Sequence, residues 1–210
     1  MRLKYIMLKE TYFKLLNNYT DNIELQNELW EDIERNYSHR KRHYHTLIHL
    51  ENLLKQLHQI KAAIEDWETI LFTLYYHDIV YSALKANNEE ESALLAEKRM
   101  LQISVPKECI IKCKSQILAT KSHVSSTDND TNYFTDADLS ILGQNWEDYL
   151  LYAQNVRKEY AIYPDLIYKP GRKKVLLHFL SMKNIFKTTF FYSKFEVQAR
   201  NNLKRELTAL

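Results

Sequence analysis

The sequence predicts an all-α chain, and three observations carry that expectation. Glycine occurs twice and proline three times in 210 residues. Average usage is about 7% and about 5%, and strands joined by tight turns need more of that punctuation. Apolar residues recur at three- and four-residue steps, as in Ile23, Leu25, Leu29 and Trp30, or Leu47, Leu50, Leu53 and Leu54, or Trp67, Ile70, Leu71 and Leu74. That period lays an apolar stripe along a helix. Polar, helix-ending stretches separate the stripes: NNYTDN at 17–22, KANNEEE at 85–91, SSTDNDTN at 125–132 and YPDLIYKPG at 163–171.

In chain order, helices are predicted over 4–18, 22–36, 44–61, 65–79, 88–101, 107–121, 146–161, 172–186 and 194–208. The first ends at NNYTDN, which also starts the second. The third and fourth carry the clearest leucine and tryptophan stripes. The fifth follows KANNEEE, where Asn87 or Asn88 can cap the helix and Glu89, Glu90 and Glu91 suit the positive end of its dipole. The sixth holds both cysteines, the seventh follows the polar SSTDNDTN region, and the last two follow YPDLIYKPG. No break is long enough to be an interdomain linker and no repeat is visible. The expectation is a single domain, residues 1–210, of about eight or nine helices.

The chain is 45% hydrophobic and 27% charged, with 15 Tyr, 8 Phe and 3 Trp, a composition that folds. Twenty-nine basic against 27 acidic residues give a formal charge of +2. That balance does not announce a nucleic-acid or acidic-lipid partner, so any anion site is local. The start, MRLKYIMLKETYFKLL, mixes charged and apolar residues without an uninterrupted apolar run. It predicts neither a leader nor a membrane span, and hence a cytoplasmic enzyme or binder. Cys109 and Cys113, four apart on a predicted helix, lack the redox or zinc C-x-x-C spacing and read as reduced core residues.

Chemistry concentrates in three places. In LFTLYYHDIVYS, residues 71–82, an apolar helix ends in adjacent His77 and Asp78. Burying both is costly unless they are paired or bound to a metal. In RHYHTLIH, residues 42–49, His45 and His49 are one helical turn apart and project about 40° from one another, while His43 falls about 200° from His45. His45 and His49 can enter one cleft together, and His43 cannot share their face unless the helix starts at about residue 44. In FTDADLSILG, residues 134–143, Asp136 and Asp138 interrupt an apolar run. One histidine from the first segment, His77 with Asp78, and one aspartate from the third make a neutral-plus-anionic set for a divalent ion. Such an ion generates hydroxide near neutral pH and holds a phosphoryl oxygen.

These residues and their surroundings resemble the HD superfamily, whose pattern is H…HD…D on an all-helical scaffold. More narrowly, the chain is similar to the branch of predicted metal-dependent HD phosphohydrolases. The resemblance runs through RHYHTLIH (42–49), YHDIVY (76–81), NEEESA (88–93), ATKSH (119–123), DADLSILG (136–143), VRKEY (156–160), GRKKVLLHFL (171–180) and ARNNLKREL (199–207). It implies an HD core at about 40–145 with C-terminal helices over 146–210 packed on it. It implies a phosphohydrolase that uses one divalent ion, with Mn, Mg, Fe, Zn, Co and Ni not distinguished, and acts on a nucleotide or other small phosphate ester.

His77 and Asp78 carry over as metal ligands. Related helical cyclic-nucleotide phosphodiesterases carry H-N-x-x-x-H, whose second histidine binds metal and whose first acts as a general acid. By that likeness His49 is the ligand and His45 the acid, although Thr46 stands in place of the Asn and the reverse assignment stays open. Many HD sequences end their pattern in A-D followed by an apolar residue. Ala137-Asp138-Leu139 therefore favours Asp138 as ligand, with Asp136 behind it or capping a helix.

His123 is a candidate phosphate contact or a loop histidine. His39, His58 and His178 read as structural or surface residues, and His43 has no role. Arg42, Arg157 and Arg172 are candidate phosphate contacts, Arg172 with the amides of a helix start beside it. Glu89 is a candidate general base, and Asp78 also helps position the nucleophile. Two other readings stand beside the hydrolase: a non-catalytic HD module holding a nucleotide or a protein partner, and a di-iron oxygenase of the same superfamily, which the scarcity of extra histidines disfavours.

Overall fold

The structure, a computed structural model, describes residues 5–210. Residue 4, where the first helix was expected to begin, lies outside that range, as do the charged residues that open the chain. Among the described residues there are ten α-helices and no strand. They are α1 (Ile6–Leu16), α2 (Ile23–Tyr37), α3 (Leu47–Gln59), α4 (Trp67–Tyr76), α5 (Asn88–Gln102), α6 (Lys107–Ala119), α7 (Asn129–Asp138), α8 (Trp146–Glu159), α9 (Asp165–Ser181) and α10 (Thr189–Ala209). Short 3-10 turns cover Lys61–Ala63 and Leu139–Gly143. No described helix is long and apolar enough to cross a membrane.

Four helices begin on a side chain that accepts a first-turn amide: Asn22 from Leu25, Asp66 from Thr69, Asp128 from Thr131 and Asn145 from Asp148. Each such cap is worth about 1 kcal/mol. The cap expected at α5 is absent. Asn87 occupies the position, but its amide donates to Glu91, and Asn88 pairs with both backbone groups of Ser82.

Helix α4 is the centre of the bundle: Thr69 through Tyr76 are all buried. Leu50, Leu54 and Leu57 of α3, Ala96 and Met100 of α5, and Ile110, Cys113 and Ile117 of α6 belong to the same apolar cluster, which extends through Leu8 of α1 to Leu203 of α10. Each large apolar side chain so buried contributes roughly 1.5–3 kcal/mol. Polar ends find partners within it: Tyr12 and Tyr76 hydroxyls lie 2.8 Å apart, and Tyr75 Oη donates to Leu8 O. Cys109 and Cys113 are both unbridged, Cys113 fully buried.

The differences from the expected elements have local causes. Helix α7 was not expected because it buries Asp130, Thr131, Asn132, Thr135 and Asp136, polar residues that show no apolar period. Helix α3 begins at Leu47 rather than 44, because Glu159 accepts the amides of His43, Tyr44 and His45 and holds them outside the helix. Helix α4 ends at Tyr76, and the carbonyls just beyond it, of Asp78 and Ile79, are taken by Arg42. Helix α9 begins at Asp165, with Pro170 and Gly171 inside it rather than before it. Helix α10 begins five residues earlier than expected, where Asp136 of α7 accepts the amides of Lys187 and Thr188.

Candidate metal centre

His77 follows the last residue of α4 and is buried. Its Nδ1 donates to Leu74 O at 3.0 Å. A carbonyl only accepts, so the proton is fixed on Nδ1 and Nε2 is aimed inward. His49, in the first turn of α3, is also buried and brings its Nε2 to 3.1 Å from His77 Nε2. Asp138, the last residue of α7, places Oδ1 3.2 Å from His49 Nε2 and 3.7 Å from His77 Nε2. One ligand atom from each of His49, His77 and Asp138 lies within 4.8 Å of the others. Asp78 Oδ2 approaches from the fourth side, 3.2 Å from His77 Nε2 and 3.8 Å from His49 Nε2.

The three-residue group of His49, His77 and Asp138 is close enough to share one ion, and Asp78 stands beside it. Donors held about 2.0–2.2 Å from a common centre lie roughly 3.0–3.5 Å from one another, and His49 Nε2 and His77 Nε2, 3.1 Å apart, fall in that range while also forming a hydrogen bond when one of them carries the proton. Two histidines and carboxylates form a borderline set that divalent first-row ions accept.

Electrostatics hold the group together without an ion. Burial works to lower the His77 pKa, but Asp78 and Asp138 override it and lift the ring to about 9. Burial works to raise Asp78, yet His77 and His45 hold its carboxyl well below the usual range. Asp138 is likewise held low against its burial, first by its hydrogen bond with His49.

His45 lies outside α3, so the helical-turn argument for pairing it with His49 does not hold. The two rings nevertheless come within 6.0 Å, because the extended segment before Leu47 is anchored elsewhere. The anchor is Glu159. One oxygen accepts the amides of His43, Tyr44 and His45 at 2.7, 2.8 and 3.0 Å, and the other accepts His45 Nδ1 at 2.7 Å. His45 Nε2 is left facing Asp78 Oδ2 at 3.9 Å, with the Tyr81 ring stacked at 4.1 Å. Burial disfavours the charged ring, but Asp78 and Glu159 together raise its pKa above the ordinary value. Glu159, despite burial, is lowered to about 2 by its bonds to His45 and the amides. The sequence reading missed Glu159. Its signal was position: an acid in the last turn of a helix sits at the negative end of the dipole and needs a partner.

Asp78, His45, Asp138, His123 and Glu89 border a cleft of about 550 Å³. His49 and Asp138 also border a second cleft of about 400 Å³, and Tyr44 and Tyr152, with ring centroids 4.7 Å apart, line both.

Asp136 is not in the group. Fully buried, it accepts hydrogen bonds from the amides of Lys187 and Thr188, from Lys187 Nζ and from Thr188 Oγ1. It therefore caps α10, and Asp138 alone of the pair faces the histidines.

The arginine expectations are corrected. Arg42 is buried and donates to the carbonyls of His45, Asp78 and Ile79, with Tyr37 4.8 Å below its guanidinium. It clamps the histidine segment to the end of α4 and has no free face for phosphate. Arg157 is bonded to Asp165 and to the carbonyls of Tyr160 and Tyr163, and does not line the cleft. Arg172 lines the cleft but is paired in two-point fashion with Glu206, and it lies in the middle of α9, where no helix-start amides are free.

His123 lies closer to the centre than a loop histidine needs to. Its Nε2 is 3.8 Å from Asp138 Oδ2, its φ is +52°, and its buried Nδ1 has no hydrogen-bond partner among the described residues. Burial lowers its pKa to about 4 in spite of Asp138. Glu89 is at the cleft wall, on the first turn of α5. His39, His43, His58 and His178 are exposed.

No family model, no curated protein and no solved structure matches this chain.

Proposed function

We propose that this protein is a metal-dependent phosphohydrolase of the HD type, acting on a nucleotide or another small phosphate ester. The observation that carries the reading is the convergence of His49, His77, Asp138 and Asp78 beside a cleft that also presents His45. The first four would hold one divalent ion. When bound, such an ion supplies Lewis acidity and lowers the pKa of water.

The rest is done by side chains of the chain itself. Nδ1 of His45 is committed to Glu159, so the proton available to a substrate is on Nε2, at the cleft. Asp78 and Glu159 raise the pKa of this ring above its ordinary value, the direction that suits a general acid. As a water oxygen bonds to phosphorus, the bond from phosphorus to the leaving oxygen breaks, and the His45 proton passes to that oxygen. The proton lost by the water passes to a carboxylate, for which Glu89 at the cleft wall is the candidate.

The test is release of phosphate or a nucleoside monophosphate from a panel of phosphomonoesters, diesters and nucleotides. Chelator-treated protein would be reloaded with Mn, Mg, Fe, Zn, Co or Ni in turn. The expected result is ion-dependent turnover that falls by about 10²-fold or more in Asp78→Ala. Failure of every ion on every substrate overturns the reading.

A further inference from the structure

The larger cleft is unusual in what lines it. Tyr81, Tyr152, Tyr160, Tyr163, Tyr168 and Phe179 supply much of its wall, the last five from α8, the α8–α9 connection and α9. Tyr160 is within 6.2 Å of Tyr163 and 6.0 Å of Tyr168, centroid to centroid, and the rings are tilted against one another. These are tilted aromatic contacts, with the Arg157 guanidinium 4.5 Å from the Tyr168 ring centroid, and together they make an aromatic edge to the cleft against which a further ring can pack. His123 Nδ1, at the cleft, is buried without a hydrogen-bond partner among the described residues, which leaves a polar point for a ligand that is not purely hydrocarbon.

The same wall offers almost no positive charge. Among the described residues its one arginine or lysine is Arg172, and that charge is matched by Glu206 at 2.7 and 2.9 Å. Against it stand Asp78, Asp138 and Glu89. The smaller cleft is lined by one lysine, Lys55, and by Asp138 and Asp148 among the described residues. A divalent ion would offset the charge of Asp78 and Asp138 and could still offer a coordination position to one phosphoryl oxygen. A second or third phosphate would meet Glu89, whose neighbouring Lys121 is paired with Glu90 and the Ala86 carbonyl, whereas polyphosphate sites use lysine or arginine clamps.

We infer that the cleft selects a phosphate monoester whose alcohol carries an uncharged aromatic or heteroaromatic ring, and discriminates against di- and triphosphates. The inference rests on the hydrolase reading for the placement of the phosphoryl group, and on the cleft wall alone for the ring.

The experiment compares 1-naphthyl phosphate, AMP, ATP, glycerol 2-phosphate, inorganic phosphate and unphosphorylated 1-naphthol, with the ion-loaded full chain, by equilibrium binding and by phosphate release. Naphthyl phosphate and AMP are expected to bind roughly tenfold or more tighter than glycerol 2-phosphate, the scale of one stacked ring. ATP is expected to bind more weakly than AMP. Tyr168→Ser and Tyr163→Ser should erase most of the ring advantage and leave inorganic phosphate binding unchanged. Equal affinity for naphthyl and glycerol phosphates, ATP tighter than AMP, or no binding of any ring compound overturns the inference. Binding of naphthol and naphthyl phosphate without phosphate release supports the ring selection while sinking the hydrolase reading. Equal hydrolysis of every small monoester does the reverse.

Discussion

His45 and Glu159, 114 positions apart in the chain, meet at 2.7 Å, and the same carboxylate gathers three consecutive backbone amides. A single buried acid thus sets both the path of residues 43–45 and the tautomer of the ring that faces the cleft.

Glu159 is depressed to about 2 from 4.5, so its contribution is present above pH 4.5 and is lost as pH falls toward 2. That shift corresponds to stability on the order of 3 kcal/mol. Glu159→Gln is expected to lower unfolding free energy by that order at pH 7. The gap between wild type and variant should narrow below pH 4.5, as measured by urea denaturation across the acid range.

Asp136 and Asp138 should separate cleanly. Asp136→Ala strands the Lys187 and Thr188 donors in a buried place and is expected to cost about 3 kcal/mol while ion binding survives. Asp138→Ala should leave the ion-free protein folded but abolish the rise in melting temperature on adding Mn or Zn. Parallel thermal melts and calorimetric titrations of the two variants check both halves.

His77 gives the ion-free protein a base-side weakness. Its folded pKa, raised from 6.5 to about 9, means that its stabilising contribution is complete below 6.5 and is lost as pH climbs through 9. The melting temperature of chelated protein should therefore fall across that window. A bound divalent ion displaces the proton and should flatten the decline. Melts at pH 6, 7.5 and 9, with and without ion, test this.

The two glycines should respond oppositely to alanine. A Cβ on Gly143 would collide with Phe195 Cβ and meet the Phe195 carbonyl oxygen at 2.7 Å, so Gly143→Ala forces the 3-10 turn and α10 apart. The expected cost is about 1–3 kcal/mol. A Cβ on Gly171 meets nothing within 4 Å, inside α9. Gly171→Ala should gain up to about 1 kcal/mol of helix stability. Chemical denaturation of both variants decides.

Much of this was legible in the sequence. The scarcity of glycine and proline and the three-four apolar step were enough for an all-helical chain, because that period is a local property of the backbone. His77, Asp78 and His49 stood out because titratable groups on apolar segments demand partners. Helix α7 did not stand out, because its buried face is polar and its satisfaction comes from other elements: Glu65 and Asp66 amides on Asp130, Lys187 and Thr188 on Asp136.

What the sequence by itself determined was the helical class, most element positions and the candidates from which the His49, His77 and Asp138 group is drawn. The tertiary structure alone decided which of them meet. It turned Asp136 to α10 and Asp138 to the histidines, spent Arg42, Arg157 and Arg172 on carbonyls and carboxylates, and brought Glu159 to His45. The physical reason is that a charge's role depends on its nearest buried partner. Those partners lie dozens of residues away, beyond the reach of any local period.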